Sequence, residues 1–161
     1  MHPRLLLAVP IVLVAAACGT KTVNTEKGER FIKKTVSQQV GATVKSVKCP
    51  DDIKAKKGGT FTCTVTGSDG TTGEAQVVQK DAKGNVRLSA PFVHVRNLER
   101  LMASDIGRQV NAKVTIECPE IITGKKGDTF DCKATDGKND ATVKVTQKDD
   151  RGNVRYKLVQ Q

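Results

Sequence analysis

The residues in this chain best placed to do chemistry are its five cysteines. Four of them form two matched pairs. Cys49 and Cys63 bound the phrase CPDDIKAKKGGTFTC, and Cys118 and Cys132 bound CPEIITGKKGDTFDC, fourteen residues apart each time. Zinc sites gather close ligand pairs such as C-x-x-C, and redox dithiols use the same short spacing. Here each phrase has two lone cysteines and no histidine nearby. The expectation is therefore two disulfides, Cys49–Cys63 and Cys118–Cys132. A closed loop of this length contributes about 3 kcal/mol in the chain-entropy model. Inside the loops, Lys54, Lys56 and Lys57 recur as Lys125 and Lys126, each time beside glycine. They are either solvated turn residues or a contact for an anion.

Other chemistry is hard to find. Apart from His2 there is one histidine, His94, set in an apolar alternating segment with Phe92, Val93 and Val95. A structural role is expected for it. No G-x-S-x-G, H-E-x-x-H or P-loop pattern occurs. The acidic turns KDAKGN and KDDRGN resemble calcium loops superficially, but they lack ligands at alternate positions and a terminal glutamate. Hairpin turns are the expectation there. Asp51 and Asp52 follow the first Cys-Pro, whereas Glu120 stands alone after the second, which argues against a duplicated acid–base pair. No catalytic residue, metal or cofactor is expected.

The elements that position the cysteines are themselves repeated. Phe31, Val36 and Val40 recur as Leu101, Ile106 and Val110, and QKDAKGNVR (79–87) recurs as QKDDRGNVR (147–155). The offset drifts by one residue between elements, where loops tolerate insertion. Each unit reads as a helix followed by four strands. The helices are expected over 26–41, with an inward stripe of Ile32, Val36 and Val40 beside Phe31, and over 97–110, with Leu98, Leu101, Met102 and Ile106 on one face and Asn97 as N-cap. Strands are expected over 42–49, 60–66, 74–80 and 85–90, then over 112–118, 129–135, 141–148 and 153–159. Phe61, Cys63 and Val65 point inward, as do Phe130, Cys132 and Ala134. The turns SDG, KGN, TDGK and RGN punctuate the hairpins. The fold class is α+β: two tandem repeats, each one helix packed on a four-stranded antiparallel meander with one disulfide. The join SAPFVHVRN is short and apolar, so the two units should pack together with limited freedom.

Net charge is +10, from 27 Lys and Arg against 17 Asp and Glu. Such a surface favours anionic neighbours: lipid head groups, acidic polymers or acidic proteins. Nucleic acid is excluded as an expectation, because single-strand binders stack bases on aromatic rings. Aromatic residues make up 3% of this chain, and Phe31, Phe61 and Phe130 are assigned to the core.

The start of the chain, MHPRLLLAVPIVLVAAACGT, carries Arg4 and then an apolar run too short to span a bilayer. That run fits the h-region of an export signal. With Ala15, Ala16 and Ala17 before Cys18, it resembles a bacterial lipoprotein signal, although Ala15 stands where such signals usually carry Leu. The resemblance implies that Cys18 is diacylated, palmitate included, and becomes the mature N-terminus. Two acyl chains hold a protein firmly on a membrane. The alternative is an ordinary secretory signal cut after Ala17, leaving a free thiol.

The phrase Cys-Pro-acid-x-x-x-x-Lys-Lys-Gly-x-x-Phe-x-Cys resembles the module of an actinobacterial (mycobacterial-type) family of envelope lipoproteins, a domain of unknown function present in one copy or two. Cys49, Pro50, Lys57, Gly58, Phe61 and Cys63 carry the match, then Cys118, Pro119, Lys126, Gly127, Phe130 and Cys132. The resemblance implies location and fold and brings no activity. In architecture alone, the tandem units are similar to the secreted β-lactamase inhibitor protein family.

Residues 1–17 are thus expected to be a lipoprotein signal peptide, 18–29 the acylated N-terminus and a polar spacer, 30–92 repeat 1 and 93–161 repeat 2. The expected protein is non-enzymatic and sits on the extracytoplasmic face of the cell membrane. Membrane lipid holds it through acylated Cys18, and a basic surface with Lys54, Lys56, Lys57, Lys125 and Lys126 meets an anionic envelope component or protein. The alternative is an inhibitor or accessory subunit of a secreted or envelope enzyme.

Overall fold

A computed structural model describes residues 21–89 and 91–159. Unit 1 contains helix α1 (Thr25–Val40) and strands β1 (Val44–Lys48), β2 (Thr60–Gly67), β3 (Thr72–Gln79) and β4 (Val86–Leu88). Unit 2 contains α2 (Val95–Val110) and strands β5 (Thr115–Glu117), β6 (Thr129–Thr135), β7 (Asp140–Gln147) and β8 (Val154–Val159). Each set of four strands forms one antiparallel sheet in sequence order. The α+β class, the tandem repeat and the antiparallel meanders are as the sequence predicts.

Helix α1 starts because Asn24 accepts a hydrogen bond from Lys27 N at 2.8 Å, which satisfies one of the free amides of the first turn. It stops because Gly41 adopts a left-handed conformation that glycine takes without strain. Helix α2 starts earlier than expected. His94, not Asn97, stands at its N-cap position. The reason lies just upstream: Val93 N donates to Ile122 O at 2.8 Å, so the chain leaves a β-bridge at Phe92–Thr123 and turns directly into the helix.

The helical phase also needs correction. Ile32, Val36 and Val40 are fully buried, and so is Met102. Phe31 is 46% exposed and Leu101 61% exposed, against the expectation that both face the core. Each sits one residue before an inward position (Ile32 or Met102), a rotation of about 100° on a helix of 3.6 residues per turn. Phe61 and Phe130 do pack against the cores of units 1 and 2.

The expected polar spacer over 18–29 is shorter than predicted. Thr22 bridges Lys54, and from Thr25 the chain is helical. Lys21 O accepts from Ala55 N, and Val23 N donates to Ile53 O, both at 2.8 Å. Buried Val23 pins this segment down.

The units interlock. Phe92 and Ile121 are buried in the core of unit 1, although Ile121 lies in the cysteine loop of unit 2. A Cβ on Gly73 would stand 2.7 Å from Ile121 Cγ2, so this β3 position has no side chain because Ile121 fills the space. Around this knob, Glu120 Oε2 accepts from Ser68 N at 2.5 Å and from Asp69 N at 3.2 Å. Glu120 N returns a bond to Asp69 Oδ2 at 2.9 Å. Phe92 N donates to Gln39 Oε1 and Arg96 Nε to Gly41 O.

Candidate functional site: the stapled lysine loops

The register of each sheet brings its cysteines face to face. Lys48 pairs with Thr64 and Glu117 with Lys133, so the next position in each ladder sets Cys49 against Cys63 and Cys118 against Cys132. Both disulfides are formed, with Cα–Cα separations of 4.2 and 4.3 Å. Glutamates of the helices hold the same corner. Cys49 N donates to Glu29 Oε1 and Cys118 N to Glu99 Oε1, each at 2.9 Å.

The far side of each loop is held by a buried glutamine. Gln79 and Gln147 are each 3% exposed. Gln79 Oε1 accepts from Lys56 N at 2.8 Å and its Nε2 donates to Lys54 O at 3.1 Å. Gln147 does the same with Lys125 N at 2.8 Å and Thr123 O at 3.0 Å. Their backbones add Gly58 N to Gln79 O and Gly127 N to Gln147 O, both at 2.9 Å. At each tip the glycine, Gly58 or Gly127, has positive φ, a conformation that closes the turn and that side-chain-bearing residues adopt with strain. A buried amide is costly unless paired; here both ends of each one are.

This frame leaves the lysine side chains outside. Lys54, Lys56, Lys57, Lys125 and Lys126 are all exposed. The two loops differ in charge pairing. Lys125 lies 3.7 Å from Asp128, whereas Lys54, Lys56 and Lys57 make no ion pair among the described residues. The position of Asp128 is Gly59 in unit 1, which accounts for the difference. The five lysines are thus divided between two loops. Cys18 lies outside the described residues.

His94 is exposed and makes no side-chain cap bond. The acidic turns are hairpin turns. Asp81 accepts from Lys83 N and from Asn85 Nδ2, and Asp149 accepts from Arg151 N and Asn153 Nδ2. These bonds, the asparagine side chain foremost, hold both carboxyls below the usual carboxylate range. Asp136 does the same with Asn139 and the Lys138 amide, and its carboxyl is lowered to about 2. Tyr156 donates to Asp105, and burial followed by that bond raises the phenol to about 12. Among the described residues, no group of three or more His, Cys, Asp or Glu is placed to hold a metal, and no helix is long and apolar enough to cross a membrane.

Gln79, Gln147, Glu29 and Glu99 were not singled out from the sequence. Their signal was available: each glutamine opens a repeated QKD phrase, and each glutamate opens Glu-Arg before Phe31 or Leu101.

A family model described as a domain of unknown function (DUF4333) matches residues 8–84 and again residues 87–152. The chain belongs to this family. It carries two tandem DUF4333 copies, and each contributes its own helix, sheet, disulfide and glutamine-held loop. The chain matches no curated protein and no solved structure.

Proposed function

We propose that this protein is a lipid-anchored, extracytoplasmic component of an actinobacterial-type cell envelope. In this reading its work is non-enzymatic: it binds or scaffolds, with a basic surface turned to an anionic partner. The observation that carries the reading is the construction of the loops. Disulfide, glutamate and glutamine bonds are spent inside the frame, while lysines project from a rigid backbone. A rigid display loses less entropy on binding than a mobile one. Anchoring is supported by the export-type leader and by a fold that begins within three residues of Cys18, where Lys21 docks on the first loop.

The test has two parts. The mass of the N-terminal peptide from membrane-isolated protein should show Cys18 as first residue with acyl chains attached; a free thiol there would contradict anchoring. Binding of the purified protein to vesicles rich in anionic lipid, or to acidic envelope polymer, should weaken steeply with salt. It should also weaken when Lys54, Lys56 and Lys57 are changed to Gln.

A second reading is an inhibitor or accessory subunit of an envelope enzyme. The observation in its favour is an exposed apolar cluster on unit 2, where Val110 is 49% and Leu158 38% exposed.

A further inference from the structure

The two units are built alike, so their outer strands can be compared within one chain. Val86, Arg87 and Leu88 of β4 correspond to Val154, Arg155 and Tyr156 of β8. Strand β4 stops after three residues. Pro91, which has no amide hydrogen, stands where β8 has Val159. The next residues leave the sheet: Phe92 N donates to Gln39 Oε1 and Val93 N to Ile122 O. Strand β8 runs six residues and is the outermost of its sheet.

The bonding pattern fixes which way its backbone points. Lys148 N donates to Asn153 O across the hairpin at 2.7 Å. Antiparallel pairs alternate between bonded and non-bonded, so Arg155, Lys157 and Val159 bond to Thr146, Lys144 and Thr142 of β7. Val154, Tyr156 and Leu158 turn their N–H and C=O groups outward, where they meet no backbone partner among the described residues. Unpaired amides and carbonyls in such a row fit another extended backbone.

The side chains along this edge differ between its two faces. Tyr156 packs on the core under α2, so Arg155 and Lys157, one residue to either side, lie on the opposite, open face of the sheet. Both are exposed and make no ion pair among the described residues. The carboxylates of β6 and β7 are engaged elsewhere: Asp131 by Lys144 at 3.3 Å and Asp140 by Lys133 at 3.0 Å. On the helix face, Asp105 is held by Tyr156 and Arg108. The rest of that face is apolar beside β8. Val154 and Tyr156 line an open cavity of about 330 Å³ with Leu98 and Leu101. Leu158 lines another of about 380 Å³ with Ile106 and Val110.

We propose that β8 is a docking edge for an extended segment of a partner protein in which acidic and apolar residues alternate. Laid beside β8, such a strand sets its carboxylates against Arg155 and Lys157 on the open face and its apolar residues against Tyr156 and Leu158 on the helix face. The inference rests on the binding reading above and names the partner's chemistry. A second β8 does not fit. In an antiparallel pair overlapping most of the strand, Lys157 would stand opposite Lys157 or Arg155, and like charges directly opposite are destabilising. The two residues that keep β8 from pairing with itself thus select an acidic strand.

The experiment titrates the purified protein with an acetylated heptapeptide of alternating glutamate and valine, read by amide exchange in nuclear magnetic resonance. The Tyr156 and Leu158 amides should exchange more slowly as peptide is added, and the effect should weaken with salt. The same peptide N-methylated on its valines, which face β8 in the added strand, should give no protection. Arg155→Glu combined with Lys157→Glu should weaken the peptide about tenfold, the scale of two cross-strand charge pairs turned repulsive. That variant should instead accept a peptide alternating lysine and valine. Both positions are exposed, so an unchanged melting curve shows that the variant folds. No protection of Tyr156 and Leu158 at millimolar peptide would overturn the inference, as would equal protection by the N-methylated peptide or equal affinity for the charge-reversed variant. Failure of the broader binding reading looks different. There the Lys→Gln loop variants would leave salt-sensitive binding to vesicles and acidic polymer unmoved, whatever the β8 amides show.

Discussion

Replacing Gln79 with Ala tests whether the glutamine, and not only the disulfide, holds the first lysine loop. The variant leaves Lys56 N and Lys54 O without their partners, at 2.8 and 3.1 Å in the native loop. A buried group left unpaired costs about 1–3 kcal/mol, and Lys54 and Lys56 are exposed residues whose backbone water reaches in part. The expected loss is therefore about 2–4 kcal/mol in urea unfolding followed by circular dichroism. This is comparable to the disulfide's contribution of about 3 kcal/mol. Because both features restrain one loop, the loss should be less than additive in a chain that also carries Cys49→Ser and Cys63→Ser. Amide exchange gives the local readout: the Lys56 amide should lose protection, while the Lys125 amide, held by Gln147, keeps it. A loss below about 0.5 kcal/mol, the range of ordinary surface substitutions, with Lys56 still protected, would mean that Gln79 does not hold the loop.

Cys132→Ser should destabilise unit 2 first, by about 3 kcal/mol, seen as early exchange of the β6 and β7 amides, and unit 1 should weaken with it because its core includes Ile121. Ile121→Ser should destabilise unit 1, although the residue belongs to unit 2, by about 2–4 kcal/mol, the range for emptying a buried aliphatic site. Exchange at Val36 and Val77 reads this directly. Asp136 has a folded pKa of about 2 against an ordinary 3.8, so its contribution is full above pH 4 and is lost as pH falls toward 2. The melting-temperature gap between the native protein and Asp136→Ala should accordingly close between pH 4 and pH 2.

Much of this fold is legible in the sequence because the chain states it twice. Alternation in TFTCTVT sets Cys63 and Val65 inward, and the spacing of Ile32, Val36 and Val40 sets the phase of α1. What the sequence misled about lies one residue to the side. Phe31 and Leu101 are as apolar as their neighbours, and hydrophobicity alone does not say which of two adjacent residues leads the stripe. The helix start at Val95 was hidden because it depends on the Phe92–Thr123 bridge, a contact between segments far apart in the chain. Gln79 reads as a surface residue by type; only its place two residues after Val77 on the inward face of β3 marks it as buried. The interlock was legible only as a short apolar join. That Ile121 would serve the core of the other unit follows from the pairing of Gly73 with Ile121, which no local pattern carries.

The most direct test of the proposed function is a crosslinking pull-down from intact cells, using acylated protein with both disulfides formed and elution stepped with salt. The account predicts that acidic polymer and lipid leave the lysine loops at modest ionic strength, and that Lys54→Gln, Lys56→Gln and Lys57→Gln together lower the salt at which this fraction leaves, with Lys125 and Lys126 of the second loop still exposed. Anionic material retained at the same salt by the triple variant and the native protein would contradict it.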